Sequence, residues 1–196
     1  MAAGSGPVRS CPVLSGLGAE AEAGAGAGAG SIGSLRHYFA SQQDLMRFAM
    51  QSIVDRVGGR LLARVEQTGD LGSRPRPEQL RLAAELLAEL LPVDERRRAE
   101  VAVFLDFSAA ARTDPAFGDL ARKVAEGTRW LLRRVLARLD EAGSLRPGLD
   151  LDIEAERLAA LVDGLGLSGV LHPDMLPPQT SLDVLRTHLE GLAPAG

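Results

Sequence analysis

Residues 31–50, which read SIGSLRHYFASQQDLMRFAM, contain the most specific pattern of this chain. The second half of this stretch predicts the start of a helix, because Ser41 is a favoured N-cap and Asp44, three residues later, completes a pattern like a capping box. Apolar side chains keep helical spacing through about residue 66, so this helix is expected to be long. A shorter helix is expected before it, over residues 31–38.

The remainder of the chain also predicts helices, and we find no strand pattern in it. Each segment has apolar positions at helical spacing and is bounded by Pro, Gly, Ser or Asp. The predicted fold is therefore all-α. The expected helices run from about Pro77 to Leu91, Asp94 to Arg112, Asp114 to Ala142, Asp152 to Leu171 and Pro178 to Leu192.

The first 30 residues differ in composition from the rest. They hold eight of the 22 glycines together with eight alanines, and they include an alternating Ala-Gly run. Each Gly in a helix costs ~1 kcal/mol relative to Ala, and such residues leave few side chains to pack. We expect residues 1–30 to be a low-complexity, disordered segment.

Composition excludes several classes of protein. The single cysteine, Cys11, rules out a disulfide framework and a cysteine-based zinc site. No apolar run reaches the ~18–20 residues of a membrane-spanning helix, and no signal peptide is visible, so we expect a cytoplasmic protein without a membrane partner. The net charge is −4, yet residues 31–65 carry five Arg against two Asp. This local positive charge is suited to a polyanion, although it is also common on protein surfaces.

No group of residues resembles a catalytic or metal site. The three histidines, His37, His172 and His188, are dispersed, and His172 lies where a helix end is expected. We therefore predict no enzyme activity, no cofactor and no metal. The triplet of residues 96–98, Arg-Arg-Arg, could bind phosphate, but we favour a solvated helix face that alternates with acidic residues.

The helix of residues 152–171 is apolar nearly all round after Leu161 and contains three glycines. Such a helix must be buried on more than one side. Its second partner is either another subunit, in a two-fold four-helix interface with the last helix, or the core of the same chain. The dimer hypothesis places these residues in the interface: Leu161, Leu165, Val170, Leu182, Leu185 and Leu189.

Residues 31–50 resemble the recognition helix and the following helix of the TetR family of bacterial transcriptional regulators. Members typically show Gly/Thr-x-Leu-Tyr-x-His/Tyr-Phe, then a small polar cap, Lys-Glu and Leu. Arg36 stands where Tyr is usual, and Gln42 stands where Lys is usual. The matching residues are Gly33, Leu35, Tyr38, Phe39, Ser41 and Leu45.

The second half of the chain is similar to TetR regulators with a BetI-like C-terminal domain. The similarity lies in residues 104–115 and 161–177, so that the resemblance as a whole covers about residues 31–193. It implies a TetR-like fold and a homodimeric, ligand-responsive repressor of operator DNA. Residues 31–66 would belong to the helix-turn-helix domain, and residues 67–196 would form the regulatory and dimerisation domain.

The resemblance also implies which residues contact DNA, because a recognition helix enters the major groove with its first residues at the base edges. Phosphate contacts would come from Tyr38, Ser41 and Gln42, the last two at a helix N-terminus. Base-edge contacts would come from Ser31, Gly33, Ser34, Arg36 and His37.

A small-molecule effector is implied as well, bound among the middle helices. The candidate lining residues are the few large side chains there, Phe104, Phe107, Trp130 and Met50, with Met46 as a further candidate. The alternative is that they are plain core. The arginines at positions 129, 133 and 134 would favour an anionic effector if they faced it.

Family members need two helices before the recognition helix, and residues 1–30 contain little to form them. We therefore expect residues 31–66 to be a remnant of the helix-turn-helix domain, with operator binding impaired. The alternative function is a dimeric ligand-binding or interaction module that no longer binds DNA.

Overall fold

The computed structural model describes residues 41–194, and within that range the chain is helical without a strand. The all-α prediction is thus confirmed. Two short 3-10 helices, Ala88–Leu90 and Pro115–Phe117, lie between the longer elements. The α-helices are α1 (Gln42–Thr68), α2 (Arg76–Leu87), α3 (Glu95–Thr113), α4 (Gly118–Glu141), α5 (Leu151–Leu171) and α6 (Pro178–Glu190).

Side-chain caps begin α1 and α3 where the sequence predicts these helices. The Ser41 hydroxyl accepts the backbone N–H of Asp44 at 3.1 Å, and donates to its carboxylate at 2.8 Å. At the start of α3, the Asp94 carboxylate accepts the backbone N–H of Arg97 at 2.8 Å. Each cap satisfies a donor that the first helical turn leaves free.

Two helix boundaries beside a proline differ from the prediction. Helix α2 ends at Leu87 and tightens into the 3-10 turn, since Leu91 precedes Pro92 and adopts an extended backbone (φ −106°, ψ 150°). The segment after Asp114 also starts as a 3-10 turn, because the Asp114 carboxylate accepts the N–H of Ala116 at 2.9 Å. Helix α4 therefore begins only at residue 118.

Two separate apolar clusters hold the helices together. The larger joins α2, α4, α5 and α6, and its fully buried members are leucines at positions 87, 91, 132, 136, 139, 158, 185 and 189. The smaller attaches α1 to the turn between α3 and α4. There the Phe107 and Phe117 rings meet edge to face, with centroids 5.5 Å apart, beside Met50 and Ile53.

Helix α5 approaches the segment before α3 closely at a glycine. A Cβ atom on Gly169 would lie 2.7 Å from Cγ of Pro92, which is shorter than the van der Waals contact distance of two non-bonded carbon atoms. A proline ring is not a flexible side-chain end that could move aside, so this contact requires glycine.

No helix among residues 41–194 is long and apolar enough to cross a membrane.

We predict that Gly169→Ala lowers the free energy of unfolding by about 1–3 kcal/mol, because the added methyl group overpacks the contact with Pro92. The matched control is Gly59→Ala on α1, where a Cβ meets no atom within 4 Å. That variant should be more stable by about 0.5–1 kcal/mol, the ordinary gain of Ala over Gly in a helix. Urea unfolding measures the stability of both variants. Equal effects of the two substitutions would contradict the close contact between Gly169 and Pro92.

Candidate functional site: a ligand cavity beside a buried ion cluster

A cavity of about 1040 Å³ lies among α1, α2, α3, α4 and α5. Its wall is mainly aliphatic. A concave, mostly apolar space with a few polar groups is the usual form of a small-molecule site. The aliphatic lining includes Ile53, Val54, Val57, Leu61, Leu62, Leu86, Leu90, Val101, Val124, Leu131, Val135 and Val162.

Three of the predicted lining residues, Met50, Phe104 and Trp130, contribute to this wall. Phe107 does not, and that expectation is corrected. Its side chain is 1% exposed and packs against Phe117 in the smaller core. The aliphatic lining was missed, because the apolar stripe of an amphipathic helix looks the same over a cavity as over a filled core.

Glu89, Arg97 and Glu100 contribute to one side of the cavity. Together with two arginines of α1 that bind them, they form a group that we call the ion cluster: Arg60, Arg64, Glu89, Arg97 and Glu100. Arg60 binds both carboxylates, with Nε 2.8 Å from Oε2 of Glu89 and Nη2 2.7 Å from Oε2 of Glu100. Its Nη1 donates to the other Glu100 oxygen at 3.1 Å. The Glu89 and Glu100 side chains are only 4% and 8% exposed. Helix α1 is thus joined by charge to the segment after α2 and to α3.

Two further arginines complete the charge balance around Glu89. Arg64 donates from Nε to Oε1 of Glu89 at 2.9 Å. Arg97 lies 3.5 Å from the same oxygen and donates to the Ala88 carbonyl at 3.1 Å. The expectation of a solvated arginine triplet is therefore wrong for Arg97, which is held in place by the fold.

These contacts shift the pKa values of Glu89 and Arg60. Burial disfavours the charged form of Glu89, but hydrogen bonds from Arg60 and Arg64 outweigh it, so the pKa of Glu89 lies below its ordinary value. Burial also acts against the charge of Arg60, yet the hydrogen bonds to Glu100 and Glu89 raise the pKa of Arg60. Both shifts favour the charged forms of Glu89 and Arg60.

A second anchor holds the beginning of α1. The Gln43 amide donates to the Asp114 carboxylate at 2.6 Å, and Arg47 donates to the Ala116 carbonyl. The Arg47 guanidinium also lies over the Phe117 ring, 5.8 Å from its centroid. Helix α1 is therefore held at two places along its length. Its residues that line the cavity lie between Met50 and Thr68.

Most of the predicted DNA contacts, at positions 31 to 38, lie outside the described residues. Ser41 and Gln42 are described and exposed at the start of α1. The Ser41 oxygen serves as the N-cap, and Gln42 is the first helical residue. Their role as phosphate contacts stays a prediction.

The predicted interface residues separate into two groups. Leu185 and Leu189 are fully buried in the core of the chain itself, so their side chains cannot meet a second subunit, and that expectation is corrected. Leu161, Val170 and Leu182 are partly accessible, and Leu165, 6% exposed, lines a surface groove. This α5 groove has a volume of about 450 Å³ and is lined by Ala160, Leu161, Gly164, Leu165, Ser168, His172, Met175 and Leu176.

Comparison with known proteins adds independent findings. Residues 80–194 match the family described as BetI-type transcriptional repressor, C-terminal. The chain is 34% identical over 165 residues to the HTH-type transcriptional regulator PksA of Bacillus subtilis (strain 168), a match that covers 83% of this chain and 74% of that protein.

Solved structures of regulators share the fold. A transcriptional regulator from Rhodococcus sp. Rha1 superposes with a TM-score of 0.63 at 28% identity, over 83% of this chain and 78% of that chain. A TetR transcription regulator from Haloarcula marismortui superposes with a TM-score of 0.56 at 20% identity, over 83% and 80% of the two chains.

We predict that Arg60→Met lowers the free energy of unfolding by about 3–5 kcal/mol, because two buried carboxylates lose their main counter-charge. The matched control is Arg81→Met, which removes an exposed pair with Glu85 and should cost less than about 1 kcal/mol. Urea unfolding at neutral pH compares them. Similar losses in both variants would show that the ion cluster does not anchor α1.

We further predict a loss of stability in acid that depends on Glu89. Since its pKa is lower in the folded chain, the Glu89 contribution is fully present above the unfolded-state pKa of about 4.3 and disappears as the pH falls through the folded value. Unfolding free energies measured between about pH 5 and pH 3 should fall less steeply for Glu89→Gln than for the parent. Glu85→Gln, on an exposed pair, serves as the control and should follow the parent curve. A Glu89→Gln curve that also parallels the parent curve would show that Glu89 does not cause this loss of stability in acid.

Proposed function

The chain belongs to the TetR family of transcriptional regulators, and from this premise we propose that it acts as a homodimeric repressor of operator DNA whose small-molecule effector occupies the cavity under α1. It is a transcriptional regulator and not an enzyme. The observation that carries the proposal is the position of the cavity, because one of its walls is the helix that directly follows the predicted recognition helix.

The arrangement of α1 supports control of DNA binding by the cavity. The cavity-facing residues of α1 lie between Met50 and Thr68, while residues 31–38, shortly before α1, carry the predicted recognition helix. A molecule that fills the cavity in one conformation of α1 and not in another would shift the balance between them. Because α1 leads directly to the recognition helix, that shift would alter the spacing of the two recognition helices in a dimer.

The α5 groove supports the homodimer. Gly164 and Ser168 are small, so a helix from a second chain could approach closely. Large apolar side chains remain exposed around the groove, among them Leu171 at 58% and Met175 at 77%. Contiguous exposed apolar surface is typical of an interaction site, and an identical surface on a second copy would pair with it by two-fold symmetry.

DNA recognition is proposed for the residues that the family resemblance implies. Arg36 at a base edge could bind guanine with two hydrogen bonds. The Gly/Ala-rich composition of residues 1–30 favours the second candidate function, a dimeric effector-binding module without specific DNA binding. The two functions share the cavity and the dimer and differ only in operator binding.

The dimer is tested by Ser168→Arg, which places a large charged side chain in the α5 groove. We expect the parent to have twice the 20.7 kDa mass of one chain by light scattering, and the variant to approach a single chain. Ala109→Arg, on the exposed surface of α3, is the control and should remain dimeric. A variant at Ser168 that keeps the parent mass would place the interface elsewhere.

Operator binding is tested by fluorescence anisotropy with DNA from the intergenic region beside the gene for this chain. If the chain is a working repressor, Arg36→Ala should weaken binding by about tenfold or more at fixed salt, the effect of losing a bidentate base contact. Arg112→Ala, an exposed arginine at the end of α3, is the control and should bind as the parent does. A dimeric parent that does not prefer this DNA over unrelated sequence would favour the second candidate function.

A further inference from the structure

Charged side chains in the wall of the cavity differ in whether they have a partner. Seven of them have one. Glu89, Arg97 and Glu100 belong to the ion cluster. Arg134 and Arg138 both lie within ion-pair distance of Glu141, and Asp70 accepts the N–H of Gly72. Asp163 on α5 is the exception. Its carboxylate forms no hydrogen bond and no ion pair with any residue between 41 and 194.

The nearby arginine is already bound to another acid. Arg129 is the basic residue whose charge acts on Asp163, but its Nε donates to Oε1 of Glu156 at 2.7 Å. Glu156 lies two helical turns before Asp163 on the same face of α5, so the two acids share one arginine. Asp163 is open to solvent on one side. Its partial burial raises the pKa of its carboxyl above the ordinary value, and the charge of Arg129 offsets this only in part. A positive charge from outside the chain would stabilise the carboxylate.

Asp163 shares the cavity wall with an aromatic side chain and with many aliphatic side chains. Trp130 follows Arg129 on α4 and lines the same cavity, and indole is the best side chain for attracting a cation by its ring face. Most of the remaining wall is Leu, Val, Ile and Met. Such a cavity favours a molecule that is apolar along most of its length and positively charged at one place.

The basic residues of the cavity wall favour an anionic ligand less than Asp163 favours a cationic one. Arg97 has its charge neutralised by Glu89 and Asp94. Arg134 and Arg138 already lie 3.9 Å and 3.2 Å from carboxylate oxygens of Glu141, so their charges have a partner within the chain. The expectation that residues 129 and 133 favour an anion is corrected, since Arg129 binds Glu156 and Arg133 binds Asp152.

We propose that the effector is a largely aliphatic molecule with one basic nitrogen, whose protonated form pairs with Asp163 inside the cavity. This inference rests on the proposed function, because it assumes that the cavity is the effector site. It adds the chemical class of the effector and names Asp163 as the residue that sets its charge.

The test compares three probes of equal chain length: decylamine, decan-1-ol and decanoate, which are cationic, neutral and anionic at neutral pH. Trp130 is the single tryptophan of the chain and lines the cavity, so its fluorescence reports occupancy directly. We expect decylamine to bind about tenfold more tightly than either of the other probes, since it alone supplies a charge-assisted hydrogen bond to Asp163.

Variants separate the role of charge from that of the apolar wall. Asp163→Asn should weaken decylamine binding about tenfold and leave decan-1-ol binding unchanged. Asp106→Asn removes an exposed aspartate of α3 that does not line the cavity, and should bind all three probes as the parent does. Circular dichroism melting of each variant checks that the fold is retained.

The outcomes distinguish this inference from the proposed function. Probes that bind without preference for the amine, or an Asp163→Asn variant that keeps full decylamine affinity, would overturn the inference and leave the cavity as the effector site. If no probe changes Trp130 fluorescence or the melting temperature, the cavity itself is not the effector site, and both fail.

Discussion

The pairing of Arg60 with Glu89 and Glu100 fixes α1, the helix that follows the predicted recognition helix, to the other helices. Two carboxylates with almost no exposure to water are stable as anions only with close counter-charges, and α1 supplies the largest share through one guanidinium group. Arginine suits this position because its planar guanidinium holds its N–H donors in a fixed fork, and three of its nitrogens here donate to two carboxylates. The long helix α1 is therefore attached to the body by charge near residue 60 and by aromatic and amide contacts near residue 45.

The same carboxylates form part of the cavity wall. A molecule bound in the cavity would contact groups that hold α1, so the energy of its contacts would depend on where α1 lies. A ligand shifts a conformational equilibrium only by the difference between its affinities for the two states. In this chain the structural basis for such a difference is the closeness of Glu89 and Glu100 to the cavity.

Local features of the sequence predicted the helix starts well. Ser41 and Asp94 are capping residues whose effect depends on neighbours three residues away, so the pattern is visible in the sequence alone. Contacts between distant residues could not be predicted in the same way. Arg60 meets Glu89 and Glu100 at separations of 29 and 40 residues, and nothing local marks them as partners. Phe107 and Leu185 were misplaced for a related reason, since periodicity identifies a buried face without indicating what lies against it.

The two long walls of the cavity differ in how they can respond to an occupant. Helix α5 is locked by direct packing, since Gly169 leaves no room even for a methyl group against Pro92, and a Cβ on Gly166 would already be in van der Waals contact with Val101. Displacing α5 would force close-packed atoms together, which costs energy steeply. Helix α1 is held near residue 60 by ion pairs, and Arg64 is 40% exposed, so water can replace part of what a small movement breaks. An occupant that needs more space would therefore displace α1 before α5. The movement would reach the residues before Gln42 only by also displacing the anchor that Gln43 and Arg47 form with the turn after α3, while the α5 groove on the other side of the rigid wall would keep its shape.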